Sequence, residues 1–173
     1  MPVGRNIRHT VPQLRQVIRE KVIYAKDVET DGCSATVLGA SPVMQFAAGS
    51  DQYALADLKI PVDRVPNTPI VVKLVFAGGG GPGYILWYIS FLVAGEGQDL
   101  TASLATIWER TLAPPPNVQK TTNGMTIQAN LLDGKLPSAN IQMRIGRQGT
   151  HSLDDAPNAT NLLKAIFEYT AYV

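Results

Sequence analysis

Two apolar runs, Ile-Val-Val-Lys-Leu-Val-Phe-Ala at Ile70–Ala77 and Tyr-Ile-Leu-Trp-Tyr-Ile-Ser-Phe-Leu-Val-Ala at Tyr84–Ala94, flank Gly-Gly-Gly-Gly-Pro-Gly at 78–83. β-branched and aromatic residues dominate both runs, and Gly/Pro punctuates them, which is how strands and turns are written. Together they predict a long hydrophobic hairpin at the centre of an all-β protein. The second run is apolar on both faces, as expected of a strand covered on each side. Trp87 and Tyr88 are consecutive on a strand and so point to opposite faces, one inward and one outward.

Outward from this pair, the same grammar of short strand and turn continues. Lys21–Val28 reads as a first strand, followed by a turn at Glu29–Gly32. Val43–Ala47 and Gln52–Ile60 come next, with Ala54, Ala56, Leu58 and Ile60 on one face. Pro61, Pro66 and Pro69 interrupt the pattern, and Ala102–Arg110 resumes it until Pro114-Pro115-Pro116. Met125–Leu132 and Ile141–Arg147 read as a further pair around Asp133-Gly134 and Pro137. Leu162–Val173 alternates so that Leu163, Ala165, Phe167, Tyr169, Ala171 and Val173 share a face. Eight or nine strands at such intervals predict a jelly-roll-like antiparallel β-sandwich over residues 26–173.

The N-terminal segment, 1–25, reads differently. Thr10 can cap a short helix with Pro12 in its first turn and Gln13 three residues on, and Val11, Leu14, Val17, Ile18 and Val22 follow at helical spacing. The expectation is a short amphipathic helix at Val11–Glu20, either a basic arm that orders on contact or a helix packed over one end of the sandwich. Residues 1–26 hold six cations against Glu20 alone, a net +5, while the remaining residues sum to −4. This asymmetry points to an electrostatic role for the arm. Without an aromatic before Tyr24 and with few cations, an anchor onto an acidic protein ranks above nucleic acid.

The totals bound the rest. A chain of 173 residues can bury one core without staples. Charged residues are only 17%, below the usual quarter, which suggests that another subunit covers part of the surface. Cys33 is the sole cysteine and excludes an internal disulfide. No apolar segment follows the N-terminal arginines as a secretory signal would require, and 84–94 is too short for a membrane helix, so a soluble protein is expected.

Motifs for chemistry are missing. His9 and His151 lack carboxylate or thiolate partners at ligand spacing. Asp154-Asp155 does not follow a calcium-loop pattern, and Cys33 after Asp31-Gly32 has no adjacent base. The run Gly78, Gly79, Gly80, Gly81 lacks the Lys-Ser/Thr and the helix of a phosphate loop; it reads as a flexible hairpin tip and a candidate contact loop. No catalytic, cofactor or metal residue is predicted, and a non-enzyme is expected. Trp87, Trp108, Tyr53, Tyr84 and Tyr88 are weighed as a sugar-stacking platform against core and subunit packing.

Three stretches resemble the β-sandwich virion proteins of tailed bacteriophages. The first is Ser50-Asp51-Gln52-Tyr53-Ala54 leading to Ile60-Pro61. The second is Ile85-Leu86-Trp87-Tyr88 with Phe91, closed by Gly95-Glu96-Gly97. The third is Ile141-Gln142-Met143-Arg144-Ile145-Gly146-Arg147, an acidic loop with Asp154-Asp155 and Ala159, then Leu162-Leu163 through Ile166 to Tyr169. The resemblance spans about residues 43–172. It implies a capsid decoration (cement) protein, a homotrimer without catalysis on the capsid exterior, made in the host cytoplasm and bound to the major capsid protein, with neither nucleic acid nor membrane as partner. Arg5, Arg8, Arg15 and Arg19 are then the candidate capsid contacts. The alternative is a tail or fibre module that binds a receptor carbohydrate, with Tyr84, Trp108 or the glycine tip at the sugar site.

Overall fold

A computed structural model describes residues 14–94, 103–135 and 139–173. Twelve strands form among the described residues: β1 (Gln16–Tyr24), β2 (Glu29–Asp31), β3 (Ser34–Leu38), β4 (Ser41–Phe46), β5 (Asp51–Lys59), β6 (Ile70–Gly78), β7 (Tyr84–Ala94), β8 (Ala105–Leu112), β9 (Gln119–Thr121), β10 (Met125–Ile127), β11 (Asn140–Gln148) and β12 (Thr160–Tyr172). A 3₁₀ turn at Ala25–Asp27 and one helical turn, α1 (Ala129–Leu132), complete the set. The fold is an all-β antiparallel sandwich. One sheet runs β10-β6-β12-β4-β3, with β1 beside β12 and β9 beside β6; the other runs β2-β5-β11-β7-β8.

The two apolar runs are strands with the expected bounds, but they are not a hairpin. β6 pairs with β12 in the first sheet and β7 pairs with β11 and β8 in the second. Residues 79–83 therefore cross from one sheet to the other, a step of about 10 Å. The corner is walled by other loops, and this is what its glycines answer to. A Cβ on Gly78 would stand 2.6 Å from the Pro114 carbonyl oxygen, and one on Gly80 would stand 2.5 Å from the Pro116 ring; Gly80 also adopts φ +87°. The expected flexible tip is a packed corner, with Gly78 and Gly80 buried and Gly79 and Gly81 exposed.

The helix expected over Val11–Glu20 is not formed in its described part. Residues 16–24 are a strand paired antiparallel along β12, Gln16 opposite Tyr172 and Tyr24 opposite Lys164. Val17, Ile18, Val22 and Ile23 are β-branched, stiff at χ1 and suited to a pleated surface, and the ladder outweighs a helical spacing that isolated helices rarely sustain. The proposed cap, Thr10 to Gln13, lies outside the described residues. The first strand accordingly starts earlier than Lys21 and ends at Tyr24. The turn read at Glu29–Gly32 is instead β2, an edge strand against β5. Met125–Leu132 and Ile141–Arg147 do not pair either: β10 joins β6, while β11 sits between β5 and β7.

The inward faces meet in one core. Ala54, Ala56, Leu58 and Ile60 all lie in it, as their alternation predicts. Trp87 is fully buried between Phe46 (centroids 5.5 Å, edge-on) and Phe76 (5.3 Å). On β12 a bulge between Leu162 and Lys164 resets the alternation, so Leu162 is buried and Leu163 only partly so, while Ala165, Phe167 and Ala171 remain inside.

One charge pair belongs to this interior. Arg147 occupies the inward position after Ile141, Met143 and Ile145, and it is 0% exposed, with Asp154 at 1%. Its guanidinium donates to both Asp154 oxygens (2.9 and 2.6 Å), to the carbonyls of Asn158 (2.7 Å) and Ala156 (2.6 Å), and to Thr160 Oγ1 (3.2 Å). Asp154 also accepts from the Leu86 amide at 3.0 Å. A buried ion is tolerable only when its donors and acceptors are satisfied, and here the pair fastens the 149–159 loop to the ends of β7, β11 and β12.

Candidate functional site

Because side chains alternate along a strand, every second residue of the β2-β5-β11-β7-β8 sheet faces away from the core. The register aligns these outward residues in rows. One row reads Asp31, Tyr53, Gly146, Tyr88, Trp108; the next reads Glu29, Leu55, Arg144, Ser90, Thr106; a third adds Asp57, Gln142 and Leu92. Aromatic side chains thus concentrate in the first row and polar ones in the second and third.

Gly146 makes the aromatic row possible. A Cβ there would stand 2.5 Å from Tyr88 Cζ, so the Tyr88 ring lies directly over the glycine backbone. Trp108 leans against that ring, centroids 5.2 Å apart at 47°, and remains 48% exposed. On the other side of Gly146, the Arg144 guanidinium lies 4.8 Å from the centre of the Tyr53 ring. The same face continues to Tyr84, which carries Arg110 at 3.9 Å.

Beside the aromatic row an open cleft of about 700 Å³ crosses the sheet, within the range of roughly 300–1,000 Å³ that encloses a small organic ligand. Asp27, Glu29 and Asp57 form one wall, Gln142 and Arg144 the floor, and Ser90, Leu92 and Leu104 the other wall. Ser90 and Thr106 share a hydroxyl hydrogen bond of 2.8 Å, holding their oxygens at the rim. Asp27 pairs with Lys26 at 3.2 Å. Among the described residues, Glu29, Asp57 and Arg144 form no ion pair.

Burial of the Tyr88 ring, with Asp51 and Tyr53 as lesser contributors, pushes its phenol up to about 12. Tyr53 is raised chiefly by its hydrogen bond to Asp31. Both rings therefore stay neutral donors across ordinary pH. The cleft and the row beside it offer acceptors (carboxylates), donors (Gln142, Arg144, phenols) and flat apolar rings.

The residues singled out from sequence are dispersed. Arg5 and Arg8 lie outside the described residues. Arg15 is exposed at the start of β1, and Arg19 is engaged by Asp63 of its own chain at 2.5 Å. Gly78, Gly79, Gly80 and Gly81 occupy the inter-sheet corner. His9 lies outside the described residues, and His151 accepts from the Leu153 amide in its own turn. Among the described residues no group of His, Cys, Asp and Glu could hold a metal ion. Cys33 is buried, donates to the Tyr53 carbonyl at 3.2 Å, and its thiol is raised by that burial.

Of the five aromatic residues weighed as a platform, Tyr53, Tyr88, Trp108 and Tyr84 share the outer face, and Trp87 is core. Sequence reasoning missed the polar cleft residues Glu29, Asp57, Ser90, Gln142 and Arg144. The signal that reaches Asp57, Ser90, Gln142 and Arg144 is parity, each being the polar alternate of buried neighbours on its strand; Glu29, on the wholly exposed β2, has no such signal.

No protein-family model matches this sequence, and no curated protein matches it. Solved structures do resemble the fold. An isomaltodextranase of Arthrobacter globiformis, complexed with panose, matches at a TM-score of 0.53 with 13% identity over 86% of this chain; the match spans only 23% of that enzyme. The C-terminal family 6 carbohydrate-binding module of a laminarinase from Zobellia galactanivorans matches at 0.48 with 8% identity, covering 86% of this chain and 98% of the module. A chain of infectious bursal disease virus matches at 0.40 with 13% identity over 90% of this chain and 32% of its own. At 13% identity the isomaltodextranase match speaks to fold alone.

Proposed function

We propose that this protein is a carbohydrate-binding β-sandwich module whose site is the outer face of the β2-β5-β11-β7-β8 sheet. One observation carries the reading: the outward row of half-buried Tyr53 and Tyr88 and exposed Trp108 runs beside a polar cleft of about 700 Å³ on the same face. A pyranose has an apolar face of C–H groups and a polar rim of hydroxyls, so it asks for a flat ring below and mixed donors and acceptors at the edge. The row and the cleft supply both. A carbohydrate-binding module stands among the similar structures. Screening the full chain on a glycan array should return a defined set of oligosaccharides, and Trp108→Ala should weaken each at least tenfold, about 1.4 kcal/mol, with its unfolding midpoint little changed. Affinity unaltered by Trp108→Ala would remove the platform from the account.

A second reading, a virion decoration subunit, is favoured by the outer side of β1. Ile18 is 68% exposed and Tyr24 is 49% exposed on one face of that strand, and burial of such area in an oligomer contributes about 25 cal/mol per Å². Arg15 and the exposed Gly79 and Gly81 would then contact the major capsid protein, and a trimer would link several weak contacts into a firm one. Light scattering of the purified chain, together with its copy number in virus particles, tests this assignment: a monomer absent from particles removes it.

A further inference from the structure

The cleft is chemically lopsided, and Arg144 makes it so. Asp57 sits two positions along β5 from Leu55, the residue opposite both Glu29 and Arg144. Glu29 and Asp57 are therefore diagonal neighbours across β2 and β5, about 7–8 Å apart along the sheet and somewhat closer at their Cβ atoms. Arg144 is likewise diagonal to Asp57 and within reach of it. Instead it turns to the opposite side and lies over Tyr53. Arg144, the one cation lining the cleft among the described residues, thus leaves two like-charged carboxylates facing open space, with Asp27 beside them already engaged by Lys26. Lys59, the next outward residue on β5, forms no ion pair with either carboxylate. An ammonium set between two carboxylates relieves their repulsion and donates a charge-assisted hydrogen bond to each. A uronate or sulfate in the same place adds a third negative charge.

Resting on the carbohydrate reading above, we propose that the cleft selects glycans bearing free amines, seating a protonated 2-amino group between Glu29 and Asp57 while a neighbouring ring stacks on the Tyr53–Tyr88–Trp108 row. Tyr53 and Asp57 are four residues apart on β5, about 14 Å, so an oligosaccharide and not a single sugar engages both features.

Isothermal titration of the full chain, at mildly acidic pH and low salt with a chelator present, compares four oligomers of equal length: glucosamine, N-acetylglucosamine, glucose and galacturonate. The glucosamine oligomer should bind at least tenfold more tightly than the acetylated one, with galacturonate weakest. Rising salt should erode the difference. The isosteric double variant Glu29→Gln/Asp57→Asn should abolish the preference, and a urea midpoint close to that of the parent protein reports that the variant is folded. Equal affinities, a preference for galacturonate, or a preference that survives the double variant overturns the inference and leaves the carbohydrate reading standing. A preference that appears only when calcium replaces the chelator overturns it too, because the carboxylates would then hold the metal. Binding to none of the four oligomers, and to nothing on the array, overturns both.

Discussion

Strand β11 carries two arginines three residues apart, and they lead opposite lives. Arg147 points into the sandwich, fully buried, with every arm of its guanidinium committed to Asp154, two carbonyls and a hydroxyl. Arg144 points out, exposed, resting on the face of Tyr53 with no carboxylate partner among the described residues. The same side chain on the same strand is structural on one face and available on the other. Exposed surface with unspent hydrogen-bonding capacity is where a ligand can be recognised, whereas a satisfied buried network has nothing left to offer one.

The contrast breaks most visibly at Arg147. Arg147→Met removes the cation and leaves the Asp154 carboxylate buried, with the Leu86 amide as its remaining donor among the described residues. Removing one partner of such a pair costs about 3–5 kcal/mol, a large share of a domain's stability. Denaturant unfolding should show the midpoint falling accordingly, or no folded protein recovered at all. A loss below about 1 kcal/mol would mean that water reaches the pair and that the corner is looser than its geometry implies.

How much of this was legible beforehand follows from what kind of information each feature needs. The strand identity of 70–77 and 84–94 is local, written in β-branched and aromatic residues, and it was readable. Which strand each one pairs with is not local. A glycine-rich link reads as a hairpin turn until Pro114, Pro116 and Ala159, distant in sequence, are seen to wall it in. Parity, once the strands are placed, holds where no bulge intervenes: Trp87 goes in and Tyr88 out, whereas the β12 bulge displaces Leu163. The β1 segment misled because Val17, Ile18 and Val22 satisfy helical spacing, while the nine-residue ladder on β12 that decides the matter lies at the far end of the chain. Arg147 was visible as part of an Arg-then-acidic-loop pattern. Its burial could have been inferred from its place in the inward series Ile141, Met143, Ile145. The cleft was hidden because its polar residues come from separate strands, and each alone looks like an ordinary solvated position.

A milder test concerns the aromatic row itself. Tyr88 has its phenol raised from 10.0 to about 12 by burial, so the folded state holds that proton more tightly than the unfolded chain does. The stabilisation is fully present below pH 10.0 and is lost as pH climbs towards 12. For a half-buried ring screened by solvent it amounts to about 1 kcal/mol. Urea midpoints of the parent protein should decline more steeply over that interval than those of Tyr88→Phe, which has no proton to lose. Parallel declines would place the ring in solvent rather than over Gly146.

The smallest effect on stability is expected at Arg144, and it sharpens the comparison because the substitution is the same. Arg144→Met removes an exposed cation–π contact worth about 0.5–1 kcal/mol and leaves no buried charge behind. The unfolding midpoint should therefore shift by no more than that, several-fold less than for Arg147→Met. Binding should respond differently. Without Arg144 the cleft keeps Asp27, Glu29 and Asp57 and loses the only positive charge lining it among the described residues, so its preference for amine-bearing over acidic oligosaccharides should widen while affinity for neutral ones falls with the lost donor. If both substitutions cost the fold equally, the outer face is part of the scaffold and the division of labour across β11 does not hold.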